Sequence, residues 1–285
     1  MLHYFDRVSQ SADFFKKWES KAPDLCIVLG SGLADAVPGI EAMRTLPFAQ
    51  IPGFKKTDVV GHKNEMCVGE ISCTSASGKK TTRTVAFLRG RSHAYEGNTA
   101  GEVVHNVRSM IAWGVKGIVL TNAAGCLHTH WKLGGVMLIQ DHINFTGLNP
   151  LAGEAGEGFS PRFQDLTQAY NAEWQKCFES RAAEIEESLY SGIYFGVLGP
   201  SYETPSEIRM MKTLGASAVG MSTVLETIAA RQMGARVAGV SCLTNYGAGL
   251  EAQVTLDHSH VLQMGNRFSN SMANLVLGAA CVLPV

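Results

Sequence analysis

The chain has 285 residues, of which 46% are hydrophobic and 17% charged, and its net charge is −1. This composition is typical of a globular protein and excludes an intrinsically disordered one. The near-zero charge argues against a general nucleic-acid or membrane binder, and no run of about 18 apolar residues predicts a membrane span.

The amino-terminal stretch MLHYFDRVSQSADFF holds an early Asp6 and no long apolar run, so it lacks the pattern of a signal peptide. The seven cysteines are scattered along the chain, without a CxxC pair. That distribution is typical of reduced, buried thiols, and it favours a cytoplasmic protein over one that depends on disulfides or structural zinc.

Short apolar runs bounded by Gly predict strands that are buried on both faces. In chain order these runs cover residues 25–29, 85–88, 117–120, 135–139, 193–198, 216–219 and 237–242. Apolar residues at steps of three or four predict helices over residues 100–113, 171–190, 206–214, 222–233 and 258–277. The alternation predicts an α/β fold with a largely parallel sheet, in a single domain of residues 1–285.

Each predicted strand is followed by small residues and one or two polar groups. The seven strand exits read GSG, RGRSHAYEG, TNAAG, QDHIN, GPSYET, GMST and TNYGAG. Ligands of open α/β sheets bind outside the carboxyl ends of the strands, and glycines there let backbone N–H groups approach a ligand. The exits together predict one site assembled from the whole sheet. The segment 147–161, GLNPLAGEAGEGFSP, is predicted to be a mobile functional loop.

The first exit, VLGSGLAD, is typical of a loop that binds a phosphate group. Asp35 stands where the dinucleotide pattern G-x-G-x-x-G requires Gly or Ala, positions 50–57 hold no acidic residue, and no GK[ST] of a P-loop occurs. Ser31 between two glycines suits a small free oxyanion instead. Arg91 and His93, two residues apart on an extended segment, point the same way and supply positive charge, although GRSH alone is equally typical of a polar loop.

Taken in order, the motifs GSGL, GRSHAYEG, TNAAG, DHIN, RF…AY, GPSYET, VGMST and TN closely resemble those of the trimeric purine nucleoside phosphorylases. The resemblance extends from about Ile27 to His258 and into the last helix. It implies a nucleoside phosphorylase-like domain with a central mixed, largely parallel twisted β-sheet flanked by helices. It also implies phosphorolysis of 6-oxopurine (deoxy)ribonucleosides such as inosine and guanosine to the free base and (deoxy)ribose 1-phosphate, a step of purine salvage.

The resemblance assigns roles to individual residues. For phosphate it implies the hydroxyls of Ser31 and Ser222, the side chains of His62, Arg91 and His93, and the backbone N–H of Ala123. For the ribose it implies Tyr95, Met221 and His258, covered by Phe163 from the neighbouring subunit of a homotrimer. For the purine it implies Glu203 and Asn245, with Tyr202 and Val219 beside the ring. Asn245, Glu203, His93 and Arg91 are the implied catalytic set.

The chemistry of the reaction agrees with these roles. Positive charge grows on the sugar as the glycosidic bond breaks, so a phosphate dianion held by fixed donors stabilises it. The purine leaves once N7 receives a hydrogen bond, which the Asn245 amide can donate, and ionised Glu203 can accept from N1–H. Neither a metal nor a cofactor is required, and orthophosphate is a co-substrate. The predicted partners are small molecules and identical subunits, not nucleic acid or membrane.

Asn at position 245 favours 6-oxopurines, because enzymes of the superfamily that act on adenosine or methylthioadenosine tend to place Asp there. Methylthioadenosine phosphorolysis and xanthosine acceptance remain alternative activities, and a nucleoside-binding protein without catalysis is the alternative from another class. His128 and His130 are spaced like metal ligands but are predicted to lie on a surface loop. Trp174 and Phe178 are predicted to be core residues.

Overall fold

The structure of the chain is a computed structural model. It describes residues 2–30, 33–34, 37–74, 80–251 and 258–285, without the side chains of residues 74, 258–260 and 266–269. In these residues, no helix is long and apolar enough to cross a bilayer.

The described residues form helices and strands in alternation along most of the chain. The strands are β1 (Leu25–Val28), β2 (Arg44–Pro47), β3 (Glu65–Thr74), β4 (Lys80–Leu88), β5 (Gly117–Cys126), β6 (Val136–Asn144), β7 (Leu189–Gly196), β8 (Ala218–Gly220) and β9 (Arg236–Tyr246). The α-helices are α1 (Tyr4–Trp18), α2 (Ala100–Trp113), α3 (Ala172–Glu184), α4 (Pro205–Thr213), α5 (Val224–Gln232) and α6 (His258–Val282). The α/β class predicted from the sequence is confirmed.

The strands form one sheet in the order β2-β3-β4-β1-β5-β8-β7-β6-β9, and β9 also pairs with β5. Strands β5 to β9 therefore close into a ring, while β2, β3, β4 and β1 extend from it as an open arm. The pairs β1–β4, β1–β5, β5–β9, β6–β7 and β7–β8 are parallel; β2–β3, β3–β4, β5–β8 and β6–β9 are antiparallel. The sheet is mixed. Parallel pairs outnumber antiparallel pairs, but by less than the alternation of strands and helices predicts.

The hairpin of β3 and β4 explains part of this difference. The first half of β4 alternates exposed and partly buried residues, as expected for an antiparallel strand with one face in water. Such a half-polar segment lacks the continuous apolar run by which the buried strands are recognised. The strands β2 and β3 are absent from the prediction for the same reason, and the helix α1 is absent although its buried residues Tyr4, Val8, Ala12 and Phe15 recur at steps of three or four.

Helix α2 has the predicted bounds, and its ends are set by local chemistry. Thr99 caps the first turn, and its hydroxyl accepts a hydrogen bond from the N–H of Glu102, whose carboxylate in turn accepts from the N–H of Thr99. Gly114 follows the last residue with a φ of 134°. The predicted helix over residues 171–190 is too long, because the chain after Glu184 turns and enters β7 at Leu189.

The core lies on both faces of the sheet. All four residues of β1 are buried, and Trp174 and Phe178 of α3 are fully buried against it, as predicted. The prediction that every cysteine is a free thiol is wrong for two of them: Cys73 at the end of β3 is bonded to Cys281 in α6. Their separation of 208 residues explains why spacing gave no sign of the pair. The other five cysteines are free.

Candidate functional site

The strand ends converge on one cleft, which encloses about 690 Å³ of space, part of it open to solvent. The cleft is lined by ten of the residues predicted for the site: Arg91, His93, Tyr95, Ala123, Tyr202, Glu203, Val219, Met221, Ser222 and Asn245. The predicted exit QDHIN, residues 140–144, belongs to β6 itself and contributes no lining residue.

The cleft lies along β5 and β9 themselves and not only beyond their ends. Both strands continue past the apolar runs that predict them, so that Ala123 and Asn245 are strand residues. Strand β5 pairs with β9, and the last residues of β5 also pair with β8. These backbone hydrogen bonds stabilise a strand conformation that the small residues of TNAAG do not favour by themselves. Gly30, which follows β1, is packed against β5. A Cβ atom on residue 30 would lie 2.8 Å from the Cα of Asn122.

Arg91 lies beneath the cleft with only 3% of its surface exposed. Its Nη1 donates to Glu226 Oε2 at 3.0 Å, and its Nη2 donates to the carbonyl oxygens of Val28 and Thr121. Glu226 is 2% exposed, so the two charges form a buried ion pair. In the described part of the chain, Nε of Arg91 has no hydrogen-bond partner. The positive charge predicted for the cleft is thus balanced by a carboxylate that the sequence motifs do not mark.

Thr223 joins the residues around Arg91 through an unusual backbone turn. Its φ of 71° and ψ of −48° are those of a classic γ-turn, closed by a 2.7 Å hydrogen bond from Val224 N to Ser222 O. A β-branched residue adopts this conformation only where its surroundings hold it. Thr223 Oγ1 accepts from Asn122 Nδ2 at 2.9 Å and lies 3.1 Å from Ser222 Oγ. The turn therefore holds the Ser222 hydroxyl beside the cleft.

His93 is oriented by Glu96. The Oε2 atom of Glu96 accepts from the backbone N–H of His93 at 2.7 Å and lies 3.2 Å from its Nδ1. Burial raises the pKa of Glu96, but hydrogen bonds from His93 and Thr57 outweigh it and lower the pKa to about 2. A permanently ionised carboxylate therefore faces one ring nitrogen and leaves Nε2 as the nitrogen available to a ligand. The ring also stacks on Tyr95, with centroids 4.7 Å apart.

Asn245 reaches the cleft from a β-bulge. Ala124 of β5 pairs with Leu243 and Gly125 pairs with Asn245, which leaves Thr244 without a counterpart. The Thr244 hydroxyl donates to Asn245 Oδ1 at 2.9 Å, and Asn245 Nδ2 donates to the carbonyl of Tyr246 at 3.1 Å. These bonds hold the amide in one orientation and leave one N–H of Nδ2 for a ligand.

Glu203 comes after β7 and lines the cleft. Burial raises the pKa of its carboxyl group, and the carboxylate of Glu207 raises it further. Tyr202, next to it, has 36% of its surface exposed, and Val219 of β8 is buried. The lining of the cleft thus combines hydroxyl, imidazole and guanidinium groups with a carboxyl and an amide.

Two of the predicted residues that the structure describes, His62 and Phe163, do not line the cleft. His62 lies next to the site, with its ring centroid 5.5 Å from that of His93. Phe163 is 92% exposed and lies away from the cleft of its own chain. Ser31 and the side chain of His258 lie outside the described residues.

Three functional candidates, Glu96, Thr223 and Glu226, have no site role in the prediction. Thr223 and Glu226 are three residues apart, a capping-box spacing that also occurs at Thr99 and Glu102, so a local signal existed. The same signal could not show that Glu226 reaches Arg91, 135 residues away. His128 is half-buried and His130 exposed, and the described residues contain no group of three or more His, Cys, Asp or Glu placed to hold a metal ion.

Comparison with known proteins gives consistent results. A family model described as the phosphorylase superfamily matches residues 24–280. Purine nucleoside phosphorylase 1 of Bacillus subtilis is 38% identical over 95% of this chain and 96% of its own length. Purine nucleoside phosphorylase of Mycobacterium tuberculosis is 43% identical over 89% of this chain and 87% of its own length. Among solved structures, this chain is similar to the crystal structure of Schistosoma mansoni purine nucleoside phosphorylase in complex with inosine, with a TM-score of 0.87 and 34% sequence identity. The match covers 100% of this chain and 99% of that chain.

Proposed function

The chain belongs to the phosphorylase superfamily, among its purine nucleoside phosphorylases, and from that membership we propose that it cleaves 6-oxopurine nucleosides with orthophosphate. The products are the free base and ribose 1-phosphate or its deoxy form. One observation supports the assignment of substrates: a single cleft is lined both by the Asn245 amide and Glu203 carboxyl and by the group of Arg91, His93 and Ser222.

At the base end, the remaining N–H of Asn245 Nδ2 is placed to donate to N7 of the departing purine. Its orientation is held by Thr244, which donates to Oδ1. The Oδ1 oxygen can only accept and therefore suits a protonated purine nitrogen, whereas the N–H of Nδ2 suits an acceptor such as N7 or a 6-oxo group. Glu203 accepts from N1–H when ionised, a group that 6-oxopurines carry and adenine lacks.

At the phosphate end, polar side chains and a backbone N–H hold the nucleophile. The proposed donors are the Ser222 hydroxyl, the Ala123 backbone N–H and the Nε–H of Arg91, and His93 presents Nε2 to the phosphate, with Ser31 and His62 beside it. Because Glu226 balances the charge of Arg91, these groups bind phosphate without cancelling its negative charge. That charge remains available to stabilise the positive sugar in the transition state.

The reaction needs neither a metal nor a cofactor, since the phosphate supplies the nucleophile and the amide assists the leaving group. We place Tyr95, Met221 and His258 around the ribose and Tyr202 and Val219 beside the purine. Phe163 completes the site from a neighbouring subunit of a homotrimer. Its ring is 92% exposed in its own chain, which leaves it accessible to a neighbouring subunit.

The experiment that tests the function measures base release from inosine, guanosine, xanthosine, adenosine and methylthioadenosine, each with and without phosphate. We expect phosphate-dependent release of hypoxanthine and guanine. Release without phosphate would identify a hydrolase, and release from methylthioadenosine alone would favour the alternative activity. No release from any 6-oxopurine nucleoside contradicts the proposal.

A further inference from the structure

Arg108, in the middle of α2, is a fully buried cation outside the cleft. It is 0% exposed, and its Nη2 donates to the carbonyl oxygen of Pro150 at 3.2 Å and to Gln232 Oε1 at 2.6 Å, while Nη1 donates to the carbonyl oxygen of Ala155. Each of these acceptors is neutral. Burial of the group lowers its pKa but leaves it charged, since a guanidinium starts far above neutral pH.

The face of the same guanidinium lies on an aromatic ring. Its carbon atom is 4.0 Å from the ring centroid of Phe159, which also contacts the rings of Tyr4 and Phe5 in α1. Cation–π contact with a desolvated ring adds to the hydrogen bonds. Pro150, Ala155 and Phe159 all belong to the segment 147–161, so a single side chain contacts it at three points.

Gln232, at the end of α5, adds a fourth point. It is 2% exposed, accepts from Arg108 through Oε1, and donates through Nε2 to the carbonyl oxygen of Pro161 at 3.0 Å. Pro161 is two residues before Phe163. The Arg108–Gln232 pair thus ends next to the segment's exposed aromatic residue.

The two helices that carry this pair also begin at the phosphate end of the cleft. Helix α5 starts directly after Thr223, and α2 starts a few residues after Glu96. Arg108 is eight residues from the first residue of α2, about 12 Å along the helix axis. The segment is therefore fastened to the same elements that position Ser222 and His93.

We propose that Arg108 and Gln232 form a clamp that sets the position of Phe163, and so the fit of the nucleoside in the neighbouring subunit's cleft. The inference rests on the proposed function, including the trimer. Burying a cation among neutral acceptors costs free energy that an apolar side chain of similar volume avoids. A buried arginine is expected where its planar guanidinium must bind several carbonyl oxygens at once.

The test compares Arg108→Met with the unaltered protein, using inosine and phosphate. Arg108→Met removes all donors at similar length. We expect the KM for inosine to rise at least about tenfold, because displacing a substrate-positioning group by about 1 Å can cost about a hundredfold. The KM for phosphate should change less than about twofold, since Arg108 does not contact that end of the cleft. Equal rises in both KM values, or none, would overturn the clamp.

Two further variants keep the test decisive if Arg108→Met folds poorly. Arg108→Lys retains the charge but loses the planar fork, and should restore part of the affinity for inosine. Gln232→Glu keeps an acceptor for Arg108 but removes the donor to Pro161, so the KM for inosine should rise by about two- to tenfold, the effect of one neutral hydrogen bond. Unchanged inosine KM values in both would overturn the proposal.

The matched control is Arg44→Met. Arg44 also lies 4.0 Å from an aromatic centroid, that of Trp18, and also forms hydrogen bonds, but it lies on β2 away from the segment. We expect its inosine KM to be unchanged. Light scattering and the melting temperature establish that each variant is assembled and folded at the assay temperature.

A double-mutant cycle with Phe163→Ala separates the clamp from a general structural role. If Arg108 acts through Phe163, then Arg108→Met in the Phe163→Ala background has no further effect on the KM for inosine. Additive effects contradict the inference and leave the proposed function standing. Absence of phosphorolysis in the unaltered protein overturns the proposed function and this inference together.

Discussion

Asn245 shows how a single residue can carry substrate preference while its neighbours determine its geometry. The amide is oriented by Thr244, the bulged residue of β9, and by the carbonyl of Tyr246. A carboxylate of nearly the same shape at position 245 would accept at both oxygens when ionised and donate when protonated. The proposed preference for a 6-oxopurine therefore depends on one nitrogen atom.

Asn245→Asp tests this dependence. We expect kcat/KM for inosine to fall about ten- to a hundredfold, because a donor to N7 is lost, and kcat/KM for adenosine to rise relative to it. The ratio of the two values, measured on the same preparation, is the readout. An unchanged ratio would show that another residue selects the base.

The raised pKa of Glu203 predicts that nucleoside binding depends on pH. Burial raises the pKa of its carboxyl group, so the ionised acceptor is lost as the pH falls while an ordinary glutamate is still charged. We expect the Kd for inosine, measured calorimetrically without phosphate, to increase as the pH is lowered, starting above the usual range of a glutamate. Glu203→Gln should remove this pH dependence; if the variant keeps it, a different group titrates.

At the scale of elements, the junction of β8 with α5 positions the residues proposed to bind phosphate. The γ-turn at Thr223 lies between the strand and the helix, and its hydroxyl accepts from Asn122 while its N–H donates to Glu226. Glu226 thereby caps α5 and neutralises Arg91 with the same oxygen. The strained turn, the helix cap and the buried ion pair therefore depend on the same two residues, Thr223 and Glu226.

A matched pair of substitutions tests this junction. Thr223→Ser retains the hydroxyl without the methyl group, and should keep the KM for phosphate within about threefold of the original value. Thr223→Val retains the branched shape without the hydroxyl, leaves the Asn122 amide without its acceptor, and should raise the KM for phosphate about tenfold or more. Similar KM values in the two variants would show that the shape of the side chain, not its oxygen, holds the turn.

At the scale of the whole molecule, the Cys73–Cys281 bond ties the arm of the sheet to the carboxyl-terminal helix. It encloses most of the chain, so its reduction enlarges the unfolded ensemble. We expect reduction to lower the free energy of unfolding by roughly 2–4 kcal/mol and the melting temperature by several degrees. A Cys73→Ser/Cys281→Ser variant should melt lower and no longer respond to the reductant. Seven titratable thiols in the denatured, unreduced protein would contradict the bond.

The sequence by itself determined the class of fold, the strands with continuous apolar runs, the bounds of α2 and the motifs that supply the cleft. These features depend on neighbours within a few residues: apolar periodicity, caps, and glycines beside polar side chains. The resemblance to the purine nucleoside phosphorylases, which rests on these motifs, implied ten residues that the structure brings into one cleft.

Only the tertiary structure decided how distant segments meet. The ring closed by β5 and β9, the pairing of Arg91 with Glu226, the Cys73–Cys281 bond and the clamp of Arg108 and Gln232 each join residues far apart in the chain. A polar side chain has the same local pattern whether it faces water or a partner across the core. Its role follows from the partner that burial places within hydrogen-bond distance, and that distance is set by the packing of the whole sheet.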